Sequence, residues 1–160
     1  MAKKKFKATP FKKWLDELAR VIVKTRDGWT CQINQPGCAG GMVPGDENCD
    51  WHHIIPRSEC GLALRWSPLN SLTSCRNCHT WVTEHKELTD VWFASKYPVR
   101  DMIIRERHIR PIRTWHREDY ERVEDVLIRA AIRGNVDYLN IKPEHRAKFK
   151  RKVEELLCEL

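Results

Sequence analysis

No run of apolar residues in this 160-residue chain approaches the roughly 20 needed to cross a bilayer, which excludes a membrane-spanning helix. No secretory signal peptide precedes the cysteines, and those cysteines number seven, so a framework of paired disulfides is the poorer reading. A reducing, cytoplasmic setting is expected instead. Internal repeats and low-complexity tracts are missing too, which leaves an ordinary globular chain, long enough to bury roughly 70% of its unfolded surface. Acidic residues are in short supply, 22 against 29 basic ones, for a formal charge of +7. That balance favours a polyanionic partner without excluding a plain basic protein. The shortage is greatest in residues 1–13, which hold six lysines and no acid and read as a flexible basic arm or a solvated tail.

What the chain does have begins with helical periodicity. Trp14, Leu18, Val21, Ile22 and Thr25 recur at helix spacing, and Asp27-Gly28 supplies a turn, so a helix is expected over residues 14–25. Trp29 to Ile33 is strand-like, and Asn34 to Gly45 is a loop rich in Pro and Gly. Cys31 and Cys38 lie on this stretch, and Cys75-x-x-Cys78 has metal-ligand spacing. Four thiolates make a closed tetrahedral zinc site that staples a fold and leaves no position for catalysis. Six residues between Cys31 and Cys38 exceed the usual two to four, so Cys49 is an alternative to Cys38. Cys60 and Cys158 read as plain thiols.

A strand is expected from Cys49 to Ile55, ended by Pro56. Alternation sets Asp50 and His52 on one face and Cys49, Trp51 and His53 on the other, though strand ends can twist enough for His52 and His53 to converge. A loop with a possible short strand at residues 69–73 follows, then a helical pattern over 78–94 opened by His79. His85 does not share the face of His79 on a 100-degree step, and Thr83, which does, is a poor ligand. Past Tyr97-Pro98 the chain is basic and helical, with Lys96, Arg100, Arg105, Arg107 and Arg110 as candidate nucleic-acid contacts. Two further helices are expected, one ended by Gly134 and one beginning near Pro143.

Phosphodiester hydrolysis needs a nucleophile made from water, charge stabilisation on the phosphate and relief for the leaving oxygen. A neutral imidazole can take the proton, and a hard divalent cation can neutralise the oxygens. His53 is assigned as the base, and His52 with His79, and possibly Asp50, as holders of Mg2+ or Mn2+. Asn70 is expected to hold the loop or orient His53. Arg57 and Arg65 are candidates to grip phosphates, or to pair with a local acid such as Glu59.

His52-His53-Ile54-Ile55-Pro56-Arg57-Ser58, Asn70 and Cys75-Arg76-Asn77-Cys78-His79 resemble the HNH family of ββα-metal endonucleases. The resemblance spans roughly Cys31 to His85. It implies divalent-metal cleavage of DNA, with His52 at the first metal position, His53 as general base, Asn70 as the central asparagine and His79 as the last metal position. It also implies a structural zinc on Cys31, Cys38, Cys75 and Cys78. The amino-terminal helix, Leu64-Arg65-Trp66 and the basic tail with Thr114-Trp115 are similar to the NinG (Rap) recombination nucleases of lambdoid phages. That similarity implies cutting of branched DNA such as Holliday junctions or D-loops in the bacterial host cytoplasm, and a symmetric cutter would work as a homodimer. Two departures stand out: the wide first cysteine pair, and His52 where a small residue is expected.

The expected architecture is α+β, a small zinc-stapled ββα-metal core flanked by helices at both ends. Its segments are the arm at 1–13, the nuclease core with its helix at 14–96, and a basic helical extension of the same domain at 97–160. Other functions open to such a chain are an HNH restriction or packaging-associated nuclease on linear duplex, and a non-catalytic zinc-stapled DNA-binding module. The last has no use for His52, His53, Asn70 and His79 together.

Overall fold

The computed structural model describes residues 8–108 and 114–158. The chain forms two compact units, Val23–Ile112 and a second made of Met1–Ile22 with Arg113–Leu160. Helix α1 (Ala8–Arg26) contributes to both. It starts six residues before the expected Trp14, so the stretch read as an arm is helical from Ala8 onward, with Pro10 tolerated in the first turn. Residues 1–7 lie outside the described residues. Trp14, Leu15, Leu18, Ala19, Val21, Ile22 and Val23 are all buried, a wider face than the expected stripe and the mark of a helix covered over much of its circumference.

Within Val23–Ile112 the centre is a two-stranded antiparallel hairpin, β1 (Cys49–His53) against β2 (Ser71–Cys75), in the register Cys49↔Cys75, Trp51↔Thr73 and His53↔Ser71. β1 stops two residues short of the expected Ile55, and β2 lies two residues later than the expected 69–73. The cause is local: Pro68–Asn70 forms a 3-10 turn, and the Asn70 side chain takes over the backbone groups of Ile55 that a longer ladder would have used. The strand expected near Trp29 reduces to one bridge, Thr30↔Gly41. Between the strands lies the short helix α2 (Leu62–Arg65).

β2 runs directly into α3 (Arg76–Glu84), then α4 (Lys86–Lys96) and α5 (Pro98–His108). The single helix expected over 78–94 is therefore two. His85 breaks it, with φ −120° and ψ 52°, its ring stacked on Trp81 at 4.9 Å and its Nδ1 2.9 Å from the Trp81 carbonyl. The His85 backbone N–H still closes the last turn on the same carbonyl at 3.0 Å, so α3 ends at His85 with the ring folded back onto that turn. One apolar cluster joins Ile54, Ile55, Leu64, Leu72, Phe93 and Ile104, so the basic helix α5 shares a core with α4. A second gathers Cys31, Ile33, Met42, Cys49, Cys75, Cys78 and Val82.

The other unit holds α6 (Arg117–Arg133) and α7 (Pro143–Leu157), the latter starting at the expected proline. The Asp119 carboxylate accepts the His116 N–H at 2.9 Å and caps the first turn of α6. Gly134 ends α6 with φ −84°, not in the left-handed form; a side chain there would crowd the Ala130 carbonyl at 3.2 Å. Glu124 is buried, accepts from the Trp14 indole and pairs with Lys148 at 2.6 Å and Lys152 at 3.6 Å. A buried carboxylate tolerates burial only with such partners. The fold is α+β, as the sequence predicts, and no helix among the described residues is long and apolar enough to cross a membrane.

Candidate functional site

The cysteine cluster is built by two turns. Gly37 at φ +80° and Gly40 at φ +72° adopt left-handed backbone on either side of Cys38, and the Gly40 carbonyl accepts the Cys31 N–H at 3.1 Å. The loop thus doubles back and returns Cys38 to Cys31, which makes the wide spacing harmless. Cys75 ends β2 and Cys78 sits in the first turn of α3, where its N–H donates to the Cys75 sulfur at 3.5 Å. The four ligand atoms of Cys31, Cys38, Cys75 and Cys78 lie within 4.8 Å of one another. Sulfurs around zinc at about 2.3 Å would sit about 3.8 Å apart, and Cys38 and Cys75 stand at 3.9 Å. The quartet therefore suits a structural zinc. Burial pushes the Cys38 and Cys78 thiols up. Burial acts on Cys75 in the same sense, but N–H groups of Cys78 and Ala39 and the thiols of Cys78 and Cys38 outweigh it and draw its pKa down to about 7. Cys49 faces Cys75 across the ladder and is buried, but the ligand group uses Cys38. Cys60 is buried in the other apolar cluster and Cys158 is exposed.

One residue past Cys78, His79 brings α3 against β1. Its Nδ1 lies 3.0 Å from Asp50 Oδ2, and its ring centroid is 5.2 Å from that of His52. Asp50 and His52 share the strand face that alternation assigns them. His53 lies on the other face, its ring 4.3 Å from that of Trp51, yet at the strand end it reaches the same cavity. That cavity, about 240 Å³, is lined by His52, His53 and His79 together with Arg57, Thr83, Lys86 and Asp90.

His53 Nε2 is 2.9 Å from the Arg65 carbonyl. A carbonyl can only accept, so Nε2 carries the proton and the lone pair is on Nδ1. His52 is buried, and burial first, then the nearby His79 and His53, pushes its pKa down to about 3. Its ring is thus neutral at pH 7, and its buried Nδ1 has no hydrogen-bond partner among the described residues. A neutral, buried imidazole with an unsatisfied nitrogen is the donor a divalent ion uses. The histidines do not close up as the cysteines do, which are the one group of three or more potential ligands gathered this tightly among the described residues.

Asn70 is fully buried and spends its amide on the backbone. Its Oδ1 accepts the Ile55 N–H at 2.9 Å, and its Nδ2 donates to the Ile55 carbonyl at 3.0 Å and the Leu64 carbonyl at 3.4 Å. It ties the residues after His53 to the helix whose Arg65 carbonyl holds His53. These bonds hold the loop after His53 against α2.

The candidate cations divide. Arg57 is exposed at the cavity, and Arg65 lies against the Trp66 ring at 5.6 Å. Lys96 donates to the Gln32 carbonyl at 2.9 Å and sits over Trp92 and Tyr97. Arg100 is half-buried and donates to the carbonyls of Leu69, Pro68 and Ser71; burial and then Arg26 push its pKa down to about 10. A guanidinium committed to three carbonyls is a clamp on the turn that carries Asn70. Arg105 pairs with Asp101 at 2.8 Å, Arg107 is exposed, and Arg110 lies outside the described residues. Glu59 pairs with Lys86 at 2.9 Å, not with Arg57 or Arg65. Lys86 and Asp90 are cavity residues that sequence reasoning misses. Nothing in the sequence marks them, because the break at His85 that sets the start of α4 is itself masked by continuing apolar periodicity.

A family model described as HNH endonuclease matches residues 36–85, about a third of the chain. The matched segment holds Cys38, both strands, His52, His53, Asn70, Cys75, Cys78 and His79. It suggests nuclease activity on DNA with a divalent metal, in a family that also has non-catalytic members. Comparison with curated proteins and with solved structures gave no match.

Proposed function

We propose that the chain is a metal-dependent DNA endonuclease that hydrolyses phosphodiester bonds, acting on branched recombination intermediates. The observation that carries the catalytic part is the meeting of His52, His53 and His79 at one cavity with Arg57 and Lys86 beside it. His53 is the general base. Its Nδ1 lone pair, fixed by the Nε2–Arg65 contact, takes a proton from water. His52 and His79 would hold Mg2+ or Mn2+, which when bound would supply positive charge to the phosphate and the leaving oxygen. Arg57 through its planar guanidinium, and Lys86 as a point charge exchanged from Glu59, would bind flanking phosphates at the rim. Asn70 keeps the loop between β1 and α2 in place, so that the base and its carbonyl partner stay in register.

The preference for branched DNA rests on the flanking similarity at Leu64-Arg65-Trp66 and Thr114-Trp115, and phage recombination is the setting that similarity implies. The test is cleavage of a labelled four-way junction, a D-loop and a matched linear duplex, with Mg2+, with Mn2+ and with chelator, by wild type and His53→Ala. Metal-dependent cutting that drops by about 10²–10⁴ in His53→Ala, with DNA binding retained, is expected. Cutting of linear duplex as fast as of junctions would replace the branched substrate with ordinary duplex. Tight binding with no cutting of any substrate would leave a zinc-stapled DNA-binding module.

A further inference from the structure

Asp50 precedes His52 by two positions and shares its strand face, an arrangement that invites a reading as a third metal ligand. Its carboxylate is engaged otherwise. Oδ2 lies 3.0 Å from His79 Nδ1, across 29 residues of sequence, and Arg76 Nε approaches the same oxygen at 3.9 Å. Arg76 is steadied in turn by donating to the Glu47 carbonyl at 2.7 Å.

We propose that Asp50 is a positioning residue for His79: its carboxylate holds the Nδ1 proton, so that Nε2 of the same ring is the nitrogen presented to the ion. The inference rests on the nuclease reading above. A carboxylate accepts only, so the ring nitrogen it faces must be the donor, and the lone pair is left on the other nitrogen. Histidines that bind metals are commonly oriented in this way through their second nitrogen, and removing the orienting carboxylate costs about 10–100-fold in metal affinity. The placement also explains why an acid is tolerated beside two imidazoles on one short strand. Asp50 turns the His79 ring across the gap between β1 and α3, and the hairpin register that aligns Asp50 with Ser74 brings it level with the start of that helix.

The experiment uses the full chain, zinc-loaded and labelled with 15N-histidine. The tautomer of His79 is read from its ring nitrogen shifts through the carbon-bound protons, before and after Mg2+, while Mn2+ affinity is measured by calorimetry. Wild type is expected to hold His79 in the Nδ1–H form both before and after Mg2+. Asp50→Ala is expected to mix the tautomers and weaken Mn2+ by about 10–100-fold. In Asp50→Asn the amide oxygen still accepts the Nδ1 proton, so the tautomer should persist and affinity should stay within a few-fold of wild type. Zinc stoichiometry and a thermal melt verify that each variant is folded. Loss of the Nδ1 proton on Mg2+ addition would overturn the proposal. So would an Asp50→Asn variant that keeps the tautomer yet binds Mn2+ as weakly as Asp50→Ala, since that outcome makes Asp50 a ligand. Unchanged affinity in Asp50→Ala, in a wild type that binds Mn2+ and cuts DNA, would sink the positioning role alone. A wild type that neither binds Mn2+ nor cuts would sink the nuclease reading with it.

Discussion

The cysteine quartet and the histidine cavity share α3, and their key residues run on without a gap from Cys78 to His79, yet they are built on opposite plans. In the first, four ligand atoms lie within 4.8 Å of one another and three of the four cysteines are buried. In the second, three imidazoles stand around about 240 Å³ of open space, and one buried nitrogen has no partner among the described residues. A saturated tetrahedral shell holds chain segments together and excludes substrate, whereas an incomplete shell leaves positions for water and phosphate. The difference teaches that one site can serve as the foundation of the other. His79 is presented by a helix whose first turn is anchored through Cys78.

The largest effect that would break this comparison is removal of zinc. Structural zinc contributes about 10–16 kcal/mol in small zinc-binding peptides, comparable to the whole stability of about 5–15 kcal/mol of a domain. Cys78→Ser, or a strong chelator, is therefore expected to abolish cooperative melting of the Val23–Ile112 unit and to abolish Mn2+ binding with it, as followed by circular dichroism and calorimetry. If Mn2+ affinity survived the loss of zinc, the two sites would be independent and the foundation argument would fail.

Acid provides the next test, because it acts on the cavity through His52. The folded ring stays neutral down to about pH 3, whereas an unfolded histidine takes a proton near pH 6.5. Below pH 6.5 the unfolded chain thus binds the extra proton. Stability from this group is fully present above pH 6.5 and is lost as pH falls toward 3, by an amount on the order of a few kcal/mol. His52→Gln should flatten the stability curve between those limits relative to wild type, measured by denaturant titration without added Mg2+ or Mn2+. Parallel curves for the two proteins would show that His52 is not held neutral by burial.

Asn70 tests the loop between the two sites. Asn70→Ala leaves the buried Ile55 N–H and C=O without the amide, so a loss of about 1–3 kcal/mol is expected by denaturant titration. The rate of cutting should fall as well, because α2 and its hold on His53 are released. Slower cutting at unchanged stability would point to direct contact of Asn70 with the reaction.

The paired histidines, Asn70 and Cys75-x-x-Cys78-His79 are legible because each is a rare residue type at a spacing the chemistry demands, within thirty positions of one another. The partnership of Cys31 with Cys38 is harder to read, since it depends on left-handed turns at Gly37 and Gly40 that fold six residues out of the way. The contact of Asp50 with His79 cannot be read from spacing at all, because it joins positions 29 apart through the strand register. The helix break at His85 is hidden for a related reason: apolar periodicity continues through it, and only the ring folded onto Trp81 marks the stop. Basic residues are the least legible, since a sequence gives charge and not what the charge meets.

Arg57 and Arg100 turn that last point into the smallest and finest of the tests. Charge alone assigns both to DNA. Arg57 is exposed at the cavity, with no ion pair among the described residues, whereas Arg100 is committed to the carbonyls around Asn70. Removing a phosphate-binding guanidinium in Arg57→Ala should weaken DNA binding uniformly across sequences and lower the slope of log affinity against log salt by about 1. Arg100→Ala should leave that slope unchanged and lower the melting temperature instead, because the Leu69 carbonyl then loses its donor and Arg26 alone is left to hold those of Pro68 and Ser71. Fluorescence anisotropy across a salt series, paired with thermal melts, separates the two. A slope change in Arg100→Ala would mean that the clamp opens on DNA and that its carbonyl contacts belong to the free protein alone.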